Sequence, residues 1–496
     1  MELAAVFKDN MVLQRDKTIC IFGKCNVGDE INIKLGEDSV KVRAKTHHFK
    51  AYLPPRGKAT GLELYVTNGL DTITRKNIAV GEVWLAGGQS NMELAIEAAK
   101  DGEKYTALAE KSDIRYYNVP RTEYKNDAFY KAEKESEWTF HSAEKAKAWS
   151  AVAFHFAKML EDELDLTIGI IDCNLGGTSA SCWVDRETLT SDPVTNLYVE
   201  DYDKKVGDKT PEEQIKDYED YKIYYDGWNK RLGEFYGKNP KGSWEDALKH
   251  AGENRWPGPM GLANPYRLSG LYDIMLSRVA PIALRGVIYY QGEEDSSVCE
   301  RYDAVFNMLI SAWRRYFEDE NLPFICVSLP MFAYTDAPDD KTWAVIREVQ
   351  QNAPKKNKNV YTAIALDCGE LDNIHPTDKL PVGQRLARLA LEKVYGIDKQ
   401  ADAPEFDSFS QNGDTVTVSF KNTYGGLHLS SGDKPLGFEI SSDGENYEPA
   451  EAQISGDCVL IKSEKKVLGI RYQWTNYGEV NLYGENGIPV AAFKSR

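Results

Sequence analysis

The sequence predicts an α/β protein: a parallel sheet flanked by helices, with β-sandwich-like modules at its N-terminal and C-terminal ends. Three observations predict it. Between residues 81 and 400, short apolar runs alternate with longer helical stretches, as βαβ units with a sheet buried between helices require. Residues 1–80 and 401–496 carry short, partly alternating runs, punctuated by Gly, Asp, Asn and Pro at a spacing that suits a sandwich. The length of 496 residues suits about three domains.

In chain order, residues 1–80 hold strand-like runs at 17–25, 30–36, 39–46, 48–55 and 62–69. The rhythm then changes. The run 82–88 precedes a helix over 91–100, and a helix over 151–164 precedes the run 167–177. The runs 285–295, 323–330 and 360–367 are followed by helices over 302–318, 341–353 and 382–396. Residues 186–262, rich in Asp, Glu, Lys and Tyr, read as an inserted helical cap. Its tyrosines recur at helical spacing and are expected to pack against the host domain, although aromatic faces also suit sugar C–H surfaces. Residues 399–408 read as a linker. The β module that follows has runs at 414–420, 437–444, 458–463, 469–474 and 479–484, separated by Asn-Gly, Asp-Gly and Gly-Asp turns.

Composition narrows the partners. A formal net charge of −17 repels phosphate backbones and anionic lipid, which argues against nucleic acid and membrane surfaces. No apolar run approaches the roughly 20 residues of a membrane span. The N-terminus has no basic stretch followed by an apolar core, so a cytoplasmic protein is expected. The eight cysteines are dispersed and form no Cys-x-x-Cys pair, as expected of reduced thiols. With no zinc-spaced Cys/His cluster, calcium loop, Walker A or dinucleotide fingerprint, the reading requires no cofactor and no metal.

In an open parallel sheet, ligands bind beyond the carboxyl ends of the strands. Four polar, glycine-marked segments follow apolar runs there: "GGQSN" (87–91), "NLGGTSA" (174–180), "YQGEED" (290–295) and "DCGELDNIHP" (367–376). Ser90 sits where a strand turns into a helix. It suits two jobs: capping the helix over 91–100, with Glu93 closing a capping box, or serving as a nucleophile. The histidines favour the second. Of seven, His375 falls at a strand end of the α/β region, with Asp372 three residues before it and Pro376 biasing it toward extended backbone. Ser90 would attack an acyl carbonyl, His375 would take its proton, and Asp372 would orient the ring, with Asp367 and Glu370 as rivals for that third role. Oxyanion donors would be the Ser90 N–H, the Gly177 N–H (with Gly176 its competitor) and the Gln291 side-chain amide. Glu293 either supports Gln291 and the serine loop or is a surface acid at a helix start.

These blocks, in this order, resemble the sialate O-acetylesterase family of the SGNH hydrolase superfamily. "VWLAGGQSNME" is similar to its nucleophile block, "NLGGTSASCW" to its glycine block, "VIYYQGEED" to its Gln-Gly-Glu segment and "LDNIHPTDKLPVGQRLARLAL" to its Asp-x-x-His block. The likeness extends to "FKDNMVLQRD" near the start and "FEISSDGENYEPAEAQI" near the end. It implies an SGNH domain that removes O-acetyl groups from carbohydrates, such as acetylated oligosaccharides or sialic acids, through an acyl-enzyme. It also implies Ser90, Asp372 and His375 as the triad and Gly177 and Gln291 as oxyanion donors. Two places depart from the pattern. Gln291 stands where the superfamily has asparagine, and Glu294-Asp295 stands where relatives often have Ser-Asn. Arg347, in "VIREVQ", resembles a family helix position without an assigned role. The competing reading is a carbohydrate-binding protein whose esterase site has decayed.

Overall fold

The computed structural model describes residues 1–240 and 242–495 as a mixed α/β protein. The chain divides into two compact units, one of residues 1–119, 136–180 and 278–496, the other of residues 120–135 and 181–277.

The first unit is organised by a parallel sheet. Its strands are β1 (Thr72–Gly88), β2 (Ile114–Asn118), β3 (Ile168–Asn174), β4 (Gly286–Tyr290), β5 (Phe324–Ser328) and β6 (Val360–Ile364). They lie in the order β2-β3-β1-β4-β5-β6, each pair parallel. β2, β3, β4 and β5 have no exposed residue, which is why their sequences read as continuous apolar runs. Along the chain, β3 is laid on one side of β1 and β4 on the other. The carboxyl end of β1 is therefore a topological switch point, where diverging loops leave a crevice.

β1 is 17 residues long. Its first half pairs antiparallel with Ala59–Thr67 and its second half enters the parallel sheet. The expected boundary between residues 80 and 81 therefore falls inside a continuous strand. The helix expected over 91–100 is reduced to a single turn, α1 (Ser90–Glu93), and a 3-10 turn over Ile96–Ala98. The cause is competition for backbone groups. Ala95 pairs with Ser150, Ile96 N–H donates to Trp149 O at 2.8 Å, and Glu97 N–H donates to Lys147 O at 3.2 Å. The longer helices α2 (Ala151–Leu164), α3 (Cys299–Tyr316), α4 (Thr342–Lys356) and α5 (Leu380–Lys393) lie where apolar residues recur at helical spacing. Ser150 caps α2 by accepting from Ala153 N–H.

The C-terminal strands form two four-stranded sheets and a two-stranded pair. They share an apolar core that includes Val416, Val418, Phe438, Val459, Ile470 and Leu482. Burying each such side chain contributes roughly 1.5–3 kcal/mol.

The second unit is built on a 28-residue helix, Pro211–Lys238. Thr210 and Glu213 form a reciprocal capping box around Pro211 at its start. Along this helix the aromatic side chains stack, Tyr221 on Tyr225 and Tyr225 on Trp228, with Trp228 edge-on to Trp244 of the helix Trp244–Ala251.

Among the described residues no disulfide forms, no helix is long and apolar enough to cross a membrane, and no group of three or more His, Cys, Asp and Glu is arranged to hold a metal ion.

Candidate active site

The chain leaves β1 through Gly88, whose φ is +136°. A Cβ there would lie 2.1 Å from Tyr290 O, so glycine is required for β1 to turn beside the end of β4. Gln89 N–H then donates to Tyr290 O, and Gln89 Oε1 accepts from the N–H groups of Gly292 and Glu294. These bonds fix the turn that presents Ser90.

Ser90 does not cap a helix. The cap position is Gln89, with no side-chain capping bond. The Ser90 hydroxyl lies 2.8 Å from His375 Nε2. Glu93 does not close a capping box, because its carboxylate accepts from Gly176 N–H at the end of β3. Two segments 285 residues apart in sequence thus meet in one hydroxyl–imidazole contact. His375 is solvent-exposed, yet partial desolvation of its ring holds its pKa below the ordinary value; the nearby Lys379 ammonium pushes the same way, while Glu93 opposes them. A neutral imidazole beside a hydroxyl is the arrangement a general base needs.

The Asp372 carboxylate is placed otherwise than expected. Both its oxygens accept from Thr335, one from the backbone N–H and one from the hydroxyl, each at 2.5 Å. Asp372 N–H donates to Ala333 O, and the residue has φ +61°. Among the described residues it makes no hydrogen bond to His375. In this conformation Asp372 ties its loop to the loop after β5. Its rivals are also engaged. Asp367 forms a bidentate ion pair with Arg385 and accepts from the Tyr483 hydroxyl, and Glu370 accepts from Asn373.

The oxyanion candidates separate in the same way. The Gly176 N–H is taken by Glu93, and a Cβ on Gly176 would lie 3.1 Å from Ser90 Cβ. Gly177, with φ +69°, has no protein acceptor for its N–H among the described residues and remains available. Gln291 is a correction to the expectation. It is 1% exposed, and its amide nitrogen donates to Thr178 O at 3.1 Å and to Asp295 Oδ2 at 2.6 Å. Both N–H groups are spent, so neither can point at a substrate. Asp295 also accepts from Ser179 Oγ and Ala180 N–H. Gln291 and Asp295 therefore bind the loop after β3 to the loop after β4. Arg347 is likewise structural: buried in α4, it donates to Pro330 O and Thr475 O, and burial lowers its pKa to about 9.

Glu293 is buried, not a surface acid. Its Oε1 accepts from Asn91 Nδ2 at 2.6 Å, and burial raises its pKa. Asn91 Nδ2 also donates to Ile374 O at 2.9 Å, and Asn91 Oδ1 accepts from Lys379 Nζ. Sequence reasoning missed Asn91 and Lys379. A lysine at the start of an apolar helix reads as solvent-facing, and the one available signal was adjacency: Asn91 follows Ser90, and Lys379 lies four residues after His375.

Comparison with known proteins gives a consistent result. Residues 257–392 match the family model described as carbohydrate esterase, sialic acid-specific acetylesterase. The sialate O-acetylesterase of Mus musculus is 24% identical, over 95% of this chain and 89% of its own length. The Rattus norvegicus sialate O-acetylesterase is 22% identical, over 99% of this chain and 94% of its own length. The crystal structure of a carbohydrate acetylesterase from Xanthomonas citri superposes with a TM-score of 0.78 at 25% identity, covering 100% of this chain and 99% of that one.

Proposed function

We propose that this chain is a serine esterase of the sialate O-acetylesterase family, removing O-acetyl groups from carbohydrates through a nucleophile at Ser90 and a general base at His375. The observation that carries the reading is the 2.8 Å contact between the two side chains. The strand order around β1, with the reacting segments at one edge, supports an SGNH-type catalytic region.

Ser90 Oγ attacks the acetyl carbonyl carbon and its proton passes to His375 Nε2. The tetrahedral oxyanion is met by the N–H groups of Ser90 and Gly177, each such donor being worth about 10²–10³ in rate. The imidazolium then protonates the departing sugar oxygen, leaving acetyl-Ser90, and water repeats the sequence to release acetate. Imidazolium stabilisation falls to the Glu93 carboxylate, whose charge favours the protonated ring. Asp372 acts by anchoring the His375 loop through Thr335.

The substrates this reading names are acetylated oligosaccharides and acetylated sialic acids. Acetate release from a panel of acetylated xylo-, manno- and sialo-compounds tests it, with 4-nitrophenyl acetate and octanoate as references. Turnover of at least one acetylated sugar, and preference for acetate over octanoate, is expected. Release from none of the sugars, or equal rates on the two reference esters, would overturn it.

A further inference from the structure

We propose that Asn91 and Lys379 are positioning residues that hold the Ser90 turn and the His375 loop at reacting distance. The proposal rests on Ser90 and His375 being the nucleophile and base.

The reacting side chains belong to loops from different strands, and a misplacement of about 1 Å between such groups can cost about 10²-fold in rate. The residue after Ser90 is bonded to the residue before His375, since Asn91 Nδ2 donates to Ile374 O at 2.9 Å. A reacting contact and a bracing contact therefore lie side by side between the same two segments. The orientation of the brace is fully determined. Asn91 gives its second N–H to Glu293 Oε1, and its oxygen accepts from Lys379 Nζ. Rotating the amide by half a turn would set its NH2 against the ammonium and its oxygen against a carboxylate and a carbonyl.

Stability does not explain this choice of residues. Asn91, Lys379 and Glu293 are 1%, 2% and 6% exposed. Burying an ammonium and a carboxylate costs as much as their attraction returns, and apolar residues of similar size serve a core as well. The Lys379 Nζ also lies 5.5 Å from the centre of the Tyr290 ring. The charges that face His375 are Lys379 at the start of α5 and Glu93 on α1, with opposite effects on the imidazole.

The test compares Asn91→Ala and the double variant Lys379→Met/Glu293→Gln with wild type and Ser90→Ala, using 4-nitrophenyl acetate. The double variant removes both buried charges, so it leaves no unpaired ion to unfold the protein; thermal unfolding monitors this. The expected result is a fall in kcat of about 10- to 100-fold for both variants, with KM within about threefold of wild type. In the double variant the acidic limb of kcat/KM also moves to higher pH, because the ammonium that opposes protonation of His375 is gone. A wild-type kcat, or a fall in kcat with the acidic limb of the double variant unmoved, would overturn the proposal while Ser90→Ala remains inactive. Turnover surviving in Ser90→Ala would instead overturn the reading of the site itself.

Discussion

Two buried glutamates stand at opposite ends of the central sheet, and their surroundings differ in kind. Glu82, on β1 where it enters the parallel sheet, is 0% exposed. Its carboxylate accepts from Arg15 Nε, from Arg285 Nε and a terminal nitrogen at 2.6 and 3.1 Å, from Gln14 Nε2 at 3.2 Å and from the Tyr395 hydroxyl at 3.0 Å. Glu293, beyond the carboxyl end of β4, accepts a side-chain hydrogen bond from Asn91 and one from its own backbone N–H. Its Oε2 has no partner among the described residues, and neither has the buried Tyr290 hydroxyl. Around Glu293, burial raises the carboxyl pKa and lowers that of Lys379 to about 8. One end of the sheet is saturated and structural. The other leaves charges imperfectly solvated beside a hydroxyl and an imidazole, which is where perturbed ionisation is useful.

The contrast is sharpest if the two ends are broken separately. Ser90→Ala is expected to reduce kcat for acetyl ester hydrolysis by about 10⁴-fold or more, as loss of a nucleophile does elsewhere, with the unfolding temperature unchanged. Retained turnover would remove Ser90 from the mechanism. Glu82→Ala should do the reverse. It leaves two guanidinium groups facing each other without their carboxylate and should cost about 3 kcal/mol of stability, measured by urea unfolding. Activity per folded molecule should stay at the wild-type level; a selective loss of kcat would show that this end also serves catalysis.

Gln291→Ala tests the boundary between the two behaviours. Its amide braces Asp295 and Thr178, so the variant should lose about 1–3 kcal/mol of stability, the cost of unsatisfied buried partners. A large fall in kcat at unchanged stability would restore it as an oxyanion donor. Asp372→Asn should have the smallest effect, about tenfold or less in kcat/KM, because Thr335 can still be bound through the remaining oxygen. A loss as large as that of His375→Ala would show that the carboxylate leaves Thr335 for the imidazole during turnover. In the wild type, the acidic limb of kcat/KM should lie below the ordinary imidazole value of 6.5, since partial desolvation depresses His375 and the base works only when neutral.

Much of this was legible from residue order. Apolar runs followed by helical periodicity located the strands β3 to β6 and the helices behind them, because a strand buried on both faces leaves a continuous apolar signature. Glycine-marked strand ends, filtered by the scarcity of histidine, single out Ser90 and His375 from the sequence. The helix over 91–100 was misread because its backbone groups are satisfied by residues 147–150, and no local pattern carries that competition. Residues 80 and 81 lie inside one continuous strand, whose first half pairs antiparallel and whose second half pairs parallel, so no local pattern marks a break there.

What the chain by itself determined is the alternation that makes the sheet, the Gly88 turn that lifts Ser90 from its end, and the hydroxyl–imidazole pair. What tertiary structure decided is direction: Gln291 turned to Asp295, Asp372 to Thr335, Glu93 to Gly176, and Lys379 inward to Asn91. A side chain with several donors or acceptors is aimed by whichever partners folding brings within about 3 Å. Here those partners come from distant segments, so the pattern around each residue names its chemistry but not where that chemistry points.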